Sequence, residues 1–144
     1  MGPHGNRVLC SVPSHPKFLP LVRSVVTQGS VLAGFDEDLT HRIVLAVTEA
    51  MTNVIRHAYG NRTDRRIDLE LGVEPERLRI DLIDYGTFVD PKVICSRPLE
   101  DVRPGGLGVH LIKSTMDHVE YLENDHGGTT LRMVKHAAAK QESS

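Results

Sequence analysis

A chain of 144 residues, 40% hydrophobic and 25% charged, has the length and balance of one globular domain, which excludes a disordered chain, a coiled-coil rod and a second independent domain. Its 17 basic and 19 acidic residues leave a formal charge of -2, without the Lys and Arg excess that nucleic-acid phosphates demand. No apolar run approaches the roughly 20 residues that cross a bilayer, and residues 1–7 are polar and glycine-rich rather than a signal peptide, so a cytoplasmic protein with neither nucleic acid nor membrane as partner is expected.

Residues 7–12 alternate loosely before Pro13, as in a short strand stopped by a residue that cannot donate to a ladder. Cys10 lies in that run and Cys95 far from it, a spacing that reads as two buried thiols rather than a disulfide framework or a zinc site. Phe18, Leu21, Val22, Val25 and Val26 then recur at helical spacing until Gly34. Asp36 is placed to cap the next helix, with Glu37 and Asp38 at its positive end. Ile43, Val44, Val47, Ala50, Met51, Val54, Ile55 and Ala58 predict that this long helix runs to Gly60.

Ile67, Leu69, Leu71 and Val73, then Leu78, Ile80 and Leu82, alternate with polar residues around a turn at Pro75, predicting a β-hairpin with one buried face. From 84 to 108 no period survives. Leu107, Leu111, Ile112 and Met116 mark another amphipathic helix, opening at Gly105-Gly106-Leu107-Gly108. Residues 119–123 and 129–134 flank Asn124-Asp125-His126-Gly127-Gly128 as a second hairpin. The order β-α-α-β-β-loop-α-β-β predicts an α/β two-layer sandwich, its sheet mixed but mostly antiparallel and its helices on one face. Residues 1–137 are expected to make up the domain and 138–144 a disordered tail.

Three features carry chemistry. In an α-helix Glu49, Asn53 and His57, four residues apart, line one edge, Glu49 facing away from the apolar stripe and His57 bordering it. Asn competes for backbone hydrogen bonds in mid-helix, so Asn53 suits a phosphate or a hard cation better than a plain helix interior. Asp84 ends a strand, and Gly86 lets the backbone turn close to a ligand; that carboxylate can accept from an exocyclic amine or simply belong to an Asp-x-Gly turn. Gly105, Gly106 and Gly108 at a helix start can offer N–H groups to phosphate oxygens, without the Lys-Ser or Lys-Thr of a P-loop. None of the eight histidines belongs to a HExxH or Cys/His cluster, and His4, His15, His126 and His136 read as surface residues.

Taken in order, EAMTNVIRHAY, DYGTFVDP, GGLGVHLIKSTMD and GGTTLRM resemble the four boxes of the histidine-kinase-like (GHKL) ATPase superfamily, and most resemble those of bacterial anti-sigma factor serine-protein kinases. The resemblance spans nearly the whole chain and implies a Bergerat-type fold using ATP and Mg²⁺. It implies Glu49 as the general base, Asn53 as the magnesium ligand, and Asp84, Gly86 and Thr129, with Thr130 as alternate, at the adenine. It places Gly105, Gly106, Leu107, Gly108 and Val109 at the phosphates, with Arg56, His57 and Arg103 beside them. Residues 91–104 would be the ATP lid, with Arg97 a further phosphate contact or a solvated charge.

Implied partners are a STAS-type anti-sigma factor antagonist, phosphorylated on serine, a sigma factor, and a second copy in a homodimer. One departure stands out: Phe88 replaces the second glycine of a D-x-G-x-G pattern. It keeps an alternative in view, a weakly catalytic or non-catalytic nucleotide-binding adaptor that acts by sequestration. A sensor-kinase catalytic domain fits less well, since no His-bearing dimerisation helix precedes the boxes.

Overall fold

The alternating runs around Pro75 form the hairpin the pattern asks for. Strand β2 (Arg66–Glu74) pairs with β3 (Arg77–Asp84), Ile67 opposite Asp84 and Glu74 opposite Arg77. Glu76, in the connecting turn, has a positive φ of 63°. This computed structural model describes residues 6–88 and 104–137, with the side chains of 104–109 outside the description.

Strand β1 (Arg7–Pro13) precedes a 3₁₀ turn at Pro16–Phe18, helix α1 (Leu19–Leu32) and helix α2 (Glu37–Asn53). A π-helical turn, Val54–Ala58, leads on to β2 and β3; helix α3 (Pro104–Thr115), β4 (His118–Glu123) and β5 (Thr129–His136) complete the order predicted. The strands form one sheet, β1-β2-β3-β5-β4, and its four pairings are all antiparallel. Pro13 sits at the end of an edge strand, where its missing N–H breaks no ladder. The tail at 138–144 and Cys95 lie outside the described residues.

Every second strand residue faces the helices. Ile67, Leu69 and Leu71 meet Leu78, Ile80 and Leu82 across β2 and β3, and Leu131 and Met133 continue the surface on β5. Val22 and Val26 of α1, Ile43, Val47, Ala50 and Met51 of α2, and Ile112 of α3 close over it in one core. Burying such side chains contributes about 1.5–3 kcal/mol each. The opposite face carries charge: Arg132 donates from Nε and Nη2 to the two oxygens of buried Asp81, at 3.0 Å each, and Arg79 lies between Asp81 and Glu70.

The ends of α1 and α2 follow local chemistry. Gly34, at φ 90°, supplies the left-handed residue after α1, its N–H donating to the Val31 carbonyl. Asp36 caps α2, its side chain accepting from the Leu39 N–H at 2.8 Å. Leu21 departs from expectation: it is 52% exposed, because the buried stripe of α1 runs through Val22, Val26 and Gly29.

The long helix also ends sooner than its periodicity implies. After Asn53 the chain widens into the π turn, with the Tyr59 N–H reaching the Val54 carbonyl at 3.0 Å, and Gly60 and Asn61 then take positive φ. One turn thus holds an extra residue, a feature common at functional sites.

Candidate functional site

The π turn changes the row predicted on α2. Glu49 and Asn53 lie within regular helix and are half-buried, since α2 packs between α1 and α3. His57 does not continue their line: the extra residue shifts it around the axis, and it is exposed rather than bordering the core, as is Arg56. The Asn53 Oδ1 is a buried oxygen, the type of donor a hard cation takes.

Asp84 is the most constrained group of the candidate set. As the last residue of β3 it points to the helix side of the sheet and is 4% exposed. Its Oδ1 accepts from the backbone N–H groups of Gly86, at 3.0 Å, and Thr129, at 3.1 Å, while no donor among the described residues reaches Oδ2. Burial pushes the carboxyl above its usual range, and the two N–H bonds pull it partly back. A carboxylate with one oxygen held and one free is a rigid acceptor for an external N–H donor.

The β4–β5 turn holds this group from behind. Asn124 donates from Nδ2 to the Asp84 carbonyl at 2.9 Å, and its Oδ1 accepts from the N–H groups of His126 and Gly128. A Cβ on Gly128 would overlap the Asp84 carbonyl, so only glycine fits. Phe88 is tied to the same turn, its N–H donating to the Gly127 carbonyl at 2.9 Å, and its side chain is half-buried. Gly86 in turn packs on the π turn, where an added Cβ would lie 3.0 Å from the Ala58 carbonyl oxygen.

The structure therefore brings Asp84, Gly86 and Thr129 together, Thr129 through its backbone. It places Gly105, Gly106, Leu107, Gly108 and Val109 in the first turns of α3, behind a Pro104 suited to a helix start. Arg103, Arg97 and the expected lid lie outside the described residues. Sequence reasoning missed Asn124 and Gly128 as site residues. Their signal was the Asn-x-x-Gly-Gly turn before Thr129, which reads locally as a hairpin connection alone.

These elements define an ATPase-type domain, and the comparison with known families agrees. The model of the histidine kinase-like ATPase domain matches residues 12–135, and the chain belongs to that family. Among curated proteins it is similar to the serine-protein kinase RsbW of Oceanobacillus iheyensis, 28% identical over 138 residues, covering 90% of this chain and 86% of that one. It is also similar to RsbW of Bacillus subtilis, 27% identical with 87% and 82% covered, and to RsbW of Listeria innocua, 27% identical with 94% and 90% covered. Among solved structures, that of the RsbU and RsbW domains of Rv1364c from Mycobacterium tuberculosis shares the fold, with a TM-score of 0.62 at 15% identity. The match covers 90% of this chain and 31% of that one.

Proposed function

We propose that the protein is an anti-sigma factor with ATP-dependent serine-protein kinase activity, which phosphorylates a STAS-type anti-sigma factor antagonist in the cytoplasm and so regulates a sigma factor. The observation that carries the reading is Asp84: a buried carboxylate with Oδ1 fixed by two backbone N–H groups and Oδ2 open to the exocyclic amine of adenine. The named activity of the RsbW relatives supports the serine acceptor. Among the described residues no helix is long and apolar enough to cross a membrane.

In this reading Glu49 accepts the proton of the antagonist serine as the γ-phosphoryl moves, and positioning supplies most of the rate. Asn53 would hold Mg²⁺ through its buried Oδ1, a fit of hard oxygen to hard ion. When bound, that ion neutralises charge on the phosphate oxygens. The α3 segment Gly105, Gly106, Leu107, Gly108 and Val109 presents backbone N–H groups of a helix start to the phosphates. Arg103, Arg56 and His57 would add positive or donor groups for the phosphates, and Thr129 would complete the adenine edge. A homodimer belongs to the same reading and rests on the resemblance of the four boxes alone.

The test mixes purified protein, Mg-ATP and a cognate antagonist and reads phosphoserine by intact mass. Wild type is expected to phosphorylate the antagonist, Asn53→Ala to yield none, and Glu49→Ala to lower the rate at least ~100-fold. Phe88 favours a second reading, a sequestering adaptor with weak transfer, because it puts a half-buried ring where the D-x-G-x-G pattern has its second glycine. Antagonist or sigma factor bound without phosphoserine, even at saturating nucleotide, is the result that would select it.

A further inference from the structure

Arg66 and Tyr85 stand where the β2–β3 ladder would continue beyond Ile67 and Asp84, and the Tyr59 hydroxyl bridges them instead. The Tyr59 hydroxyl donates to the Arg66 carbonyl at 2.5 Å and accepts from the Tyr85 N–H at 2.7 Å. These two backbone groups would otherwise be placed to meet each other. The phenol is 6% exposed, and burial pushes its pKa up, so it stays a protonated donor across the working range.

That wedge has a local consequence. β3 leaves the sheet after Asp84 because its next N–H is taken by a phenol standing above the π turn rather than by β2. The departing backbone then brings the Gly86 N–H onto Asp84 Oδ1 at 3.0 Å, with Gly86 seated against Ala58. The turn that follows Asn53 and the turn that follows Asp84 are thus joined at two points, one hydroxyl and one close glycine contact.

We infer that Tyr59 is a positioning residue for adenine recognition: its hydroxyl holds the strands apart at Arg66 and Tyr85, and so sets the Asp84 carboxylate against the α2 end that carries Asn53. The inference rests on the adenine reading of Asp84 given above. Removing the hydroxyl lets Tyr85 N–H pair directly with Arg66 carbonyl, extends the ladder by one step and turns the Gly86 N–H away from Oδ1. Phenylalanine keeps the packed ring, so the fold is retained while the aim of the carboxylate is lost.

The experiment measures equilibrium binding of ATP and of purine riboside triphosphate, which lacks the 6-amino group, to wild type, Tyr59→Phe, Asp84→Asn and the double variant, with circular dichroism as the check on folding. Wild type is expected to prefer ATP by roughly ten- to a hundredfold, the size of one hydrogen bond to a charged group. Tyr59→Phe is expected to reduce that preference to within about threefold while binding the deaminated analogue as wild type does, and the double variant to lose no more than Asp84→Asn alone. An unchanged preference in Tyr59→Phe overturns the inference, and so does an equal loss for both nucleotides, the mark of a merely structural residue. A wild type that binds both nucleotides equally overturns the adenine reading itself, an outcome distinct from either.

Discussion

Asp84 and Asp68 are buried carboxylates whose surroundings act in opposite senses. Burial raises the pKa of Asp84, so its contribution to stability is full below the ordinary carboxylate range and is lost as pH rises through its folded value. Above that folded value the ionised group therefore costs the empty protein stability, a cost that the proposed adenine contact would offset. Asp84→Asn keeps an Oδ1 for the Gly86 and Thr129 N–H groups but faces the adenine amine with a second donor. It is expected to leave the urea midpoint at pH 7.5 unchanged or raised, and to weaken ATP binding by roughly ten- to a hundredfold. Calorimetric titration and urea melts check both; a lower midpoint with ATP affinity intact would sink the assigned role.

For Asp68 the Arg66 guanidinium, bonded to both oxygens at 2.9 and 2.6 Å, outweighs burial and lowers the carboxyl to about 2, with Ser11 and Tyr85 assisting. Its folded pKa is depressed, so the stability it contributes is present above its ordinary value of 3.8 and is lost as pH falls toward 2. The Arg66 side chain is 63% exposed, which lets solvent screen the pair. Arg66→Met is therefore expected to lower the urea midpoint only slightly at neutral pH, and to reduce the further loss of stability between pH 4 and 2. Urea melts at pH 7, 4 and 2.5 check this, and identical pH profiles for both proteins would contradict it.

Among the elements, the β4–β5 turn separates two reasons for a glycine. Gly127 has φ 80° with open space where a Cβ would stand, whereas Gly128 backs directly onto the Asp84 carbonyl. Gly127→Ala is expected to cost about 1–2 kcal/mol of backbone strain and to spare nucleotide affinity. Gly128→Ala is expected to cost about 1–3 kcal/mol by overpacking and to weaken ATP binding as well, since the only relief is to move the strand end that bears Asp84. Equal effects of the two substitutions on affinity would show that the turn does not support the carboxylate.

The same elements show what the chain made readable. Both hairpins, the Asp36 cap and the stripe of α2 were legible because each rests on local period or local hydrogen bonding. The π turn was not: Val54, Ile55 and Ala58 suit an α-helix as well, and the turn is accompanied by contacts from the Tyr59 hydroxyl to Arg66, seven residues on, and to Tyr85, 26 residues on. Asp84 was legible as a strand-end carboxylate, but its grip by Asn124 spans 40 residues and leaves no local pattern. His57 was placed from an ideal helix, and the extra residue is what moves it off the core edge, whereas the exposure of Arg56 already follows from its outward position on a regular helix.

At the scale of the whole molecule, nucleotide binding should register as global stability, because the groups proposed for it lie on separate elements that unfold together. Asn53 ends α2, Asp84 ends β3, Thr129 opens β5 and the glycine segment opens α3. A ligand held by all of them binds only the folded chain, and at a concentration a hundredfold above its Kd adds about 2.7 kcal/mol. For a domain of this size that corresponds to a rise in Tm of about 10 °C. Mg-ATP is expected to give that rise in wild type. EDTA should remove most of it, Asn53→Ala should respond to ATP as wild type does in EDTA, and Asp84→Asn should respond little even with magnesium. Differential scanning calorimetry over a range of ATP concentrations reads all four conditions. A shift that survives both EDTA and Asp84→Asn would place the nucleotide away from the sheet end and leave these residues without their common ligand.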